Sequence, residues 1–333
     1  MGKGDPPQSA HSEGAIFEEK FGAQEYIQTY YPQLTDVAKL VAIARTIRRH
    51  YEVSDSIDIT SIAEETKTGH ETIENLAVFD FQRVIVKRLL EVYPKGEAQI
   101  LDVGGGPTIY QHIALSLPAA HITHSEFLEK NRTEVLRWLN EEEGAHTWDG
   151  YFELMKEILK EDHEFVDLLE HQILSGEKAI SSHGQLVKNI LAETSVDTFK
   201  HHVRTRIGND VVHGDVFEKD LGLADTSQPT FDVITCNFVI EGATGERARW
   251  EEGMRYIMGH IPPGGFFVQT SVKNASWYLV GKEKVPASKV DEHDICRMCE
   301  TCGFKVIEQR ILAGSDVQTV GYDGMVFTLA QRL

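Results

Sequence analysis

The stretch LDVGGGPTIY, residues 101–110, joins the end of an apolar run to three consecutive glycines. The run 98–103 (AQILDV) is typical of a buried strand, and residues 107–117 are typical of a helix. Glycines at a strand-to-helix junction leave backbone N–H groups open to a ligand, although a tight turn without a ligand has the same composition. The stretch therefore predicts the first strand and the ligand-binding loop of an α/β sheet.

Strand-like and helix-like segments alternate along the rest of the chain. Strands are predicted at residues 98–103, 121–125, 210–216, 231–239, 264–272, 304–312 and 325–333, and helices at residues 107–117, 128–140, 245–260 and 291–302. This alternation predicts an α/β fold with a mostly parallel, seven-stranded sheet and helices on both faces. In such sheets a ligand binds at the carboxyl ends of the strands.

The charge balance excludes several classes of partner. The 333 residues include 33 basic and 52 acidic side chains, so the formal net charge is −19. A surface of this sign repels phosphate backbones and anionic lipids, so we expect neither a nucleic-acid nor a membrane partner. We see no signal peptide and no apolar window long enough to cross a bilayer. The sequence thus predicts a cytoplasmic protein.

Three of the four cysteines lie close together in CRMCETC, residues 296–302. Their spacing resembles part of a metal site, but a fourth ligand or a glycine-rich loop is missing from the motif. Cys296, Cys299 and Cys302 are instead expected on one face near the end of a helix, where thiols pack as small apolar groups. We predict no metal.

The residues around the glycines indicate which ligand the loop binds. A nicotinamide dinucleotide fingerprint needs a small third residue, and Ile109 occupies that position here. Asp102 precedes the glycines, and Glu126 follows the next strand, where a carboxylate can bind both hydroxyls of a ribose. This pattern is typical of enzymes that bind S-adenosyl-L-methionine and release S-adenosyl-L-homocysteine. We therefore predict that cofactor.

Four motifs resemble one family in the same order along the chain. They are FGAQEYIQTYY (21–31), GGGPTIYQ (104–111), EFLEKNRTEVLRWLNEEEGAHTWDGY (126–151) and SWYLVG (276–281). On these motifs the chain resembles the nicotinamide, phenylethanolamine and indolethylamine N-methyltransferases. The resemblance implies a Rossmann-like class I methyltransferase fold and an S-adenosylmethionine-dependent enzyme acting on a small molecule. Two segments, roughly 33–90 and 152–200, match the family poorly.

The resemblance also implies roles for individual residues. The cofactor site would contain Tyr26, Tyr31, Asp102, Gly104, Gly105, Thr108, Tyr110, Glu126, Asn131, Asp215, Val216 and Asn237. The methyl acceptor would contact Tyr30, Glu241 and Tyr278, and the catalytic residues would be Glu241 and Tyr26. The N-terminal tyrosines would lie on a helix that closes over the cofactor, although such an aromatic cluster is also typical of core packing.

Glu241 is the residue expected to act on the acceptor. An amine is protonated in water, so a nearby carboxylate can bind the cation and accept its proton. Glu241 lies in FVIEGAT, residues 238–244, after the fourth strand of the predicted methyltransferase sheet. A solvated acid at the start of the next helix remains the alternative interpretation.

The resemblance and composition together predict the division of the chain. We expect a disordered tail over residues 1–14, a helical cap over 15–95 and a methyltransferase domain over 96–333 with a helical insertion at about 141–208. The dense charge of 152–200 is typical of a solvated face, and this segment can also form a lid or a dimer surface. We expect a monomer or a homodimer.

Two other functions stay open from the sequence. One is carbon methylation of a small isoprenoid diphosphate such as isopentenyl diphosphate, with the diphosphate bound by the basic clusters KHHVRTR (200–206) or ARTIRRH (44–50). Both clusters are also typical of a charged outer face. The other is a cofactor-binding regulator without turnover.

Overall fold

The computed structural model describes residues 18–223, 230–280 and 283–333. The N-terminal part contains α1 (Ala23–Tyr30), α2 (Val37–Tyr51), β1 (Ser56–Asp58), α3 (Ile59–Thr66) and α4 (His70–Val92). The middle part contains β2 (Ala98–Val103), α5 (Tyr110–Leu115), β3 (Ala119–Glu126), α6 (Glu129–Leu139), α7 (Asp149–Lys160), α8 (His163–Ile173), α9 (Lys178–Ala192), α10 (Asp197–Ile207) and β4 (Val211–His213). The C-terminal part contains β5 (Val233–Asn237), α11 (Ile240–Ala243), α12 (Arg247–Gly259), β6 (Phe266–Lys273), β7 (Trp277–Val280), β8 (Glu283–Pro286), α13 (Glu292–Thr301), β9 (Phe304–Ala313), α14 (Val317–Val320) and β10 (Gly324–Arg332).

One large sheet forms the centre of the molecule, with strand order β1-β9-β10-β6-β5-β2-β3-β4. All neighbouring strands are parallel except β10, which is antiparallel to β6 and β9. The predicted α/β class with a mostly parallel sheet is confirmed. The prediction of seven strands is wrong by one, because Ser56–Asp58 of the N-terminal part adds β1 beside β9.

Alternate side chains of each central strand enter two different cores, as the pleat requires. On β2, Ile100 packs into the core formed with the N-terminal helices and α7 to α10, whereas Leu101 and Val103 pack into a second core. That second core contains Trp250 of α12 and Met298 of α13, both buried. The sheet is therefore covered on both faces, which explains why its strands are apolar nearly throughout.

A buried ionic network fixes the N-terminal helices on the sheet. The carboxylate of Asp80 on α4 is fully buried and accepts hydrogen bonds from Arg48 of α2, Arg83 of α4 and Arg310 of β9, at 3.2, 2.9 and 3.0 Å. Arg83 also pairs with Asp162, whose other oxygen accepts from the backbone N–H of Phe165 and caps α8. The network holds α4 in place, and the first turn of α4 reaches the candidate site described below.

Residues 149–207 form the four helices α7 to α10, and their apolar sides belong to the first core. The division into cap, domain and insertion stays a prediction, and the predicted tail over residues 1–14 lies outside the described residues. Within the ranges that the structure describes, no helix has the length and apolar character that crossing a bilayer requires.

Candidate functional site

A cavity of about 960 Å³ opens at the carboxyl ends of β2, β3, β5 and β6. It lies where the strand order reverses between β2 and β5, the usual ligand position in such sheets. Its volume is at the upper end of the range for small-molecule sites, so it has room for two ligands side by side. Every residue predicted for the cofactor or the acceptor lines it: Tyr26, Tyr30, Tyr31, Asp102, Gly104, Gly105, Thr108, Tyr110, Glu126, Asn131, Asp215, Val216, Asn237, Glu241 and Tyr278.

The glycine loop is bare partly because the fold leaves no room for side chains there. Gly104 has a φ of 65°, and a Cβ on it would lie 2.4 Å from Val239. A Cβ on Gly105 would lie 2.3 Å from the ring of His124 and 2.4 Å from the carboxylate of Asp102. Gly106 also has a positive φ, of 64°, but faces open space. The second and third glycines thus serve different needs, internal packing and a left-handed turn.

Asp102 lies beneath this loop as part of a buried network. Its oxygens accept hydrogen bonds from Thr235 Oγ1 at 2.6 Å and from Gln111 Nε2 at 2.9 Å. Gln111 and Thr108 also donate to the carbonyl of Gly105, at 2.9 and 3.0 Å. Burial raises the pKa of Asp102, while the nearby His124 and the two hydrogen bonds oppose that rise. Asp102 is thus linked through Gln111 to the carbonyl of Gly105 in the glycine loop.

Two buried histidines extend the network to the last glycine. His124 Nε2 lies 3.1 Å from the carbonyl of Gly106 and must donate to it, so its Nδ1 accepts from His112 Nε2 at 3.0 Å. Burial lowers the pKa of His112 to about 3 and that of His124 to about 4, so both rings are neutral. The ring nitrogens of His112 and His124 and one oxygen of Asp102 lie within 4.8 Å of one another, a spacing that could suit a metal ion. The proton shared between the two rings already occupies the space between them.

Glu126 ends β3 and lines the cavity, and its carboxylate accepts three hydrogen bonds from the chain. Its Oε1 accepts from the backbone N–H of Leu128 at 2.8 Å and from Asn131 Nδ2 at 3.1 Å, and its Oε2 accepts from the N–H of Gly106 at 3.0 Å. Burial raises the pKa of Glu126, and these three donors oppose that rise. Asn131 is itself buried, and its Oδ1 has no hydrogen-bond partner in the described chain. Glu126 and Asn131 thus form one polar wall of the cavity.

The N-terminal tyrosines cover this wall. Tyr31 follows α1 directly and stacks on Tyr110, with ring centroids 4.9 Å apart. Tyr26 lies between its neighbours, with centroids 4.9 Å from Tyr30 and 6.1 Å from Tyr31. Burial raises the pKa of Tyr26 to about 12 and that of Tyr110 above its ordinary value, so both hydroxyls keep their protons. The cluster packs as a core and lines the cavity at the same time, so both interpretations from the sequence describe part of it.

Asp215, Val216 and Asn237 complete the side of the cavity opposite the tyrosines. Asp215 follows β4, is half-buried and accepts the N–H of Phe217 at 2.8 Å. Asn237 ends β5, and the next residue, Phe238, has a φ of 59° while its N–H donates to Thr270 at 2.7 Å. Such a backbone conformation is rare for a bulky side chain and is often found at functional sites. Sequence reasoning missed Phe238, because no local pattern predicts the bend.

Glu241 lies in α11 and is almost completely buried. Its Oε1 accepts the N–H of Val272 at 3.0 Å, whereas its Oε2 has no hydrogen-bond partner in the part of the chain that the structure describes. Burial raises the pKa of Glu241 to about 7. The alternative of a solvated acid is therefore wrong, because the side chain is 1% exposed. Tyr278 lies beside it, with its ring 3.5 Å from the place where a Cβ on Gly242 would be.

The cavity is also lined by Glu71, Glu74 and Tyr322, which sequence reasoning missed. We call the part lined by these three residues together with Glu241 and Tyr278 the distal end, and the part lined by residues 102–110 and Glu126 the glycine-loop end. Glu74 comes from α4 and Tyr322 from the segment before β10. No local motif marks these positions, since their segments meet only in the folded chain.

The charges that line the cavity are strongly one-sided. Eight acidic side chains face it: Glu18, Glu71, Glu74, Asp102, Glu126, Asp215, Glu241 and Asp316. Among the described lining residues Arg249 is the one lysine or arginine, and it forms an ion pair with Glu252. This arrangement favours a cationic ligand.

The two basic clusters from the sequence lie elsewhere. Arg45, Arg48 and Arg49 pair with acids of α7, α4 and α3, and Arg204 pairs with Glu141. None of the basic residues in 44–50 or 200–206 lines the described cavity. The prediction of a charged outer face agrees with the exposed Arg45 and Arg49, whereas Arg48 pairs with the buried Asp80.

Comparison with known proteins identifies relatives over most of the chain. The model of the NNMT/PNMT/TEMT family matches residues 65–172 and 181–333. Human phenylethanolamine N-methyltransferase is 26% identical over 253 residues, which are 74% of this chain and 78% of that protein. Nicotinamide N-methyltransferase of Sus scrofa is 20% identical over 254 residues, 75% of this chain and 83% of that protein. The matched ranges include residues 65–90 and most of 152–200, parts of the two segments whose motifs match the family poorly.

Solved structures that resemble this chain include magnesium protoporphyrin IX methyltransferase from Synechocystis, crystallised with S-adenosylmethionine. It has a TM-score of 0.44, is 10% identical, and the match covers 99% of this chain and 100% of that one. An N-methyltransferase from Bradyrhizobium japonicum, crystallised with S-adenosyl-L-homocysteine, has a TM-score of 0.37 and 11% identity, with 76% of this chain and 87% of that one covered.

Proposed function

The chain belongs to the NNMT/PNMT/TEMT family of methyltransferases, and we propose that it uses S-adenosyl-L-methionine to methylate the nitrogen of a small amine or nitrogen heterocycle. The observation that carries the proposal is the buried Glu241, which lines a cavity with seven other acidic side chains and whose Oε2 has no hydrogen-bond partner among the described residues. A site of this kind binds a cation and can accept its proton.

The residues at the glycine-loop end fit the cofactor. The cofactor is a nucleoside that carries an amino acid. Its site must let it approach the backbone closely and must provide acceptors for the ribose hydroxyls and buried polar groups. The turn at Gly106, the carboxylate of Glu126 and the unpartnered oxygen of Asn131 provide these. We infer that Glu126 and Asn131 hold the ribose and that Asp215 and Val216 contact the adenine.

The other residues proposed for the cofactor site act through the glycine loop or through the tyrosines that cover it. Thr108 and Asp102 hold the carbonyl and the turn against which the amino acid part would lie. Tyr26, Tyr31 and Tyr110 close the site from the side of α1, and Asn237 lies at the end of β5 beside the glycine loop. When bound, S-adenosyl-L-methionine supplies the methyl group. Most of the rate gain then comes from holding the acceptor in line with it.

Glu241 is proposed to prepare the acceptor. A protonated amine has no lone pair to donate, and its ammonium is attracted to a carboxylate. With a pKa of about 7, Glu241 is partly ionised at neutral pH and can both bind the ammonium and accept its proton. Tyr278 and Tyr30 line the space around it and would limit the size and shape of the acceptor.

Carbon methylation of an isoprenoid diphosphate is less favoured. A diphosphate needs several basic donors, whereas the described cavity lining offers Arg249 against eight acids. Desolvating a multiply charged anion beside these carboxylates would cost much more free energy than one cation could return. A regulator without turnover does not need a buried carboxylate whose pKa lies near 7.

Incubation with methyl-labelled cofactor tests the proposal. The purified protein is mixed with a pool of small amines and heterocycles and, separately, with a pool of isoprenoid diphosphates. We expect N-methyl products from the first pool alone. Label found only in a carbon-bound product would contradict N-methylation, and tight cofactor binding without label from either pool would favour the regulator.

A further inference from the structure

Glu74 is a buried acid that lines the cavity and has no part in the chemistry proposed above. It lies in the first turns of α4, is 7% exposed and lines the distal end of the cavity. Its Oε1 accepts from Ser315 Oγ at 2.6 Å and its Oε2 accepts from the hydroxyl of Tyr322 at 3.0 Å. A carboxylate has about four lone-pair sites, so two of them stay available to a ligand.

Another acid on the same helix shows what a purely structural carboxylate looks like here. Asp80, less than two turns further along α4, is fully buried and pairs with three arginines that neutralise it. No lysine or arginine of the described chain forms an ion pair with Glu74, although the nearby His70 favours its charged form, and Glu71 adds a like charge on the same turn. Burial raises the pKa of Glu74, because the charged form has lost hydration and no lysine or arginine compensates for that loss.

The surroundings nevertheless keep Glu74 ready to bind a cation. Burial raises the pKa of Tyr322, so its hydroxyl keeps its proton and donates. Hydroxyl donors on both oxygens favour the ionised carboxylate. A neutral amide side chain can form hydrogen bonds with two hydroxyl groups, so the contact between α4 and the C-terminal segment does not require a charged residue. The charge of Glu74 is therefore left for a ligand in the cavity to neutralise.

The positions of Glu74 and Glu241 relative to the sheet give an approximate spacing. Glu241 is held by Val272 on β6, and Glu74 is held by Ser315, which follows β9. Strand β10 lies between β6 and β9, so the two anchors are two strand spacings apart, about 10 Å. Both residues line the same cavity, which brings them within the span of one small molecule.

We propose that Glu74 is a second cation-binding group and that the methyl acceptor is a small diamine, with one nitrogen at Glu241 and the other at Glu74. The inference rests on the proposed N-methyltransferase function and specifies its substrate class. In this arrangement Glu241 binds the nitrogen that is methylated. Glu74 binds the second ammonium, sets the acceptor's orientation and has no contact with the reacting nitrogen.

A length series of acceptors tests the proposal. Initial rates are measured for diaminopropane, diaminobutane, diaminopentane and diaminohexane, and for propylamine, butylamine, pentylamine and hexylamine. We expect one diamine length to have a much lower KM than the monoamine of the same length. The variant Glu74→Gln should raise the KM for that diamine about 10- to 100-fold, the effect of losing a charge-assisted contact, and leave the KM for monoamines unchanged.

Controls separate binding from folding. Glu91→Gln removes one charge from the exposed end of α4 and should leave both KM values as they are. Ser315→Ala removes one of the hydroxyls that hold Glu74 and should also raise the KM for the diamine, by a smaller factor than Glu74→Gln. Binding of the best diamine in the presence of S-adenosyl-L-homocysteine, followed by calorimetry, gives a readout without turnover.

The outcomes are distinct. If Glu74→Gln raises the KM for diamines and monoamines alike, or if diamines are no better than monoamines, Glu74 has a structural role and this inference is wrong while N-methylation stands. If neither series nor the wider amine pool is methylated, the proposed function fails and the inference fails with it.

Discussion

The two ends of the cavity hold their buried carboxylates in different ways. At the glycine-loop end, both oxygens of Asp102 and of Glu126 are hydrogen-bonded within the chain. At the distal end, Glu241 has an oxygen without a partner among the described residues, and each oxygen of Glu74 accepts from one hydroxyl. Carboxylates with several donors shape the loop before a ligand arrives, whereas carboxylates with fewer donors gain most from the ligand itself.

This contrast has a functional consequence. Changes at the glycine-loop end should weaken cofactor binding and reduce the free energy of unfolding together, because the same hydrogen bonds serve both. Changes at the distal end should reduce turnover or acceptor affinity while the chain stays folded. The experiments below test that separation, beginning with the largest expected effect.

The variant Glu241→Gln should lower kcat about 10²- to 10⁴-fold, the usual contribution of a general base. Cofactor affinity should change little, because the glycine-loop end is intact. With a pKa of about 7, the carboxyl is neutral below that pH and charged above it, so wild-type activity should rise as pH increases through about 7. Steady-state rates between pH 5.5 and 9 measure both effects.

Glu300→Gln, an exposed change on α13, is the matched control for Glu241→Gln and should keep the wild-type pH profile. A Glu241→Gln variant with normal kcat would remove Glu241 from the mechanism. One with a large loss of cofactor affinity would show that the two ends of the cavity are coupled.

The variant Glu126→Ala should weaken cofactor binding by about 1 to 3 kcal/mol, because ribose hydroxyls and the donors of Gly106 and Leu128 lose their acceptor. The free energy of unfolding should fall by a similar amount in the absence of ligand. Calorimetric titration with S-adenosyl-L-homocysteine and urea unfolding measure the two quantities.

Glu129→Ala, the exposed acid that begins α6, is the control for Glu126→Ala and should bind normally. Unchanged cofactor affinity in the Glu126 variant would place the ribose elsewhere. Weakened binding without any loss of stability would mean that the hydrogen bonds to the loop add nothing to the fold.

The variant His112→Leu should reduce the pH dependence of stability by about 1 kcal/mol between pH 7 and 5.5. The pKa of His112 is about 3 in the folded chain and near its ordinary value of 6.5 when unfolded, so the unfolded chain binds more protons below about pH 6.5. Wild-type stability therefore falls as pH decreases through this range, and removing the ring removes its share of that loss.

Urea unfolding at the two pH values, with the exposed His201→Gln as control, measures the difference. Equal pH dependence in the wild type and in His112→Leu would mean that the buried ring is protonated in the native state. The tautomers deduced for the pair with His124 would then be wrong.

The sequence predicted the glycine-loop end well, because its parts are close in the chain. Asp102, Gly106 and Glu126 lie on consecutive elements, and one strand-helix-strand unit brings them together. It did not predict β1, since Ser56–Asp58 is three residues long and mostly exposed, so it has no readable alternation. Nor did it predict the pair of His112 and His124, because a single histidine in an apolar element gives no sign of its partner.

The distal end could not be found in the same way. Glu74 and Ser315 are 241 positions apart, and Glu74 and Tyr322 are 248 positions apart. Nothing near Glu74 in the sequence separates it from the exposed Glu71, or from Asp80, which three arginines neutralise. The difference among these three acids of α4 is made by the elements that pack against the helix.

The amino-acid order alone predicted an α/β chain with a mostly parallel sheet, a glycine loop after the first long strand and an acid after the next one. Those features depend on hydrophobic periodicity and on backbone freedom, which act over a few residues. Packing between distant segments determined which acids are buried, which are neutralised by arginines and which line the cavity without a neutralising cation. Desolvation and hydrogen bonding act on whatever the fold brings within about 3 Å, however far apart the residues are along the chain.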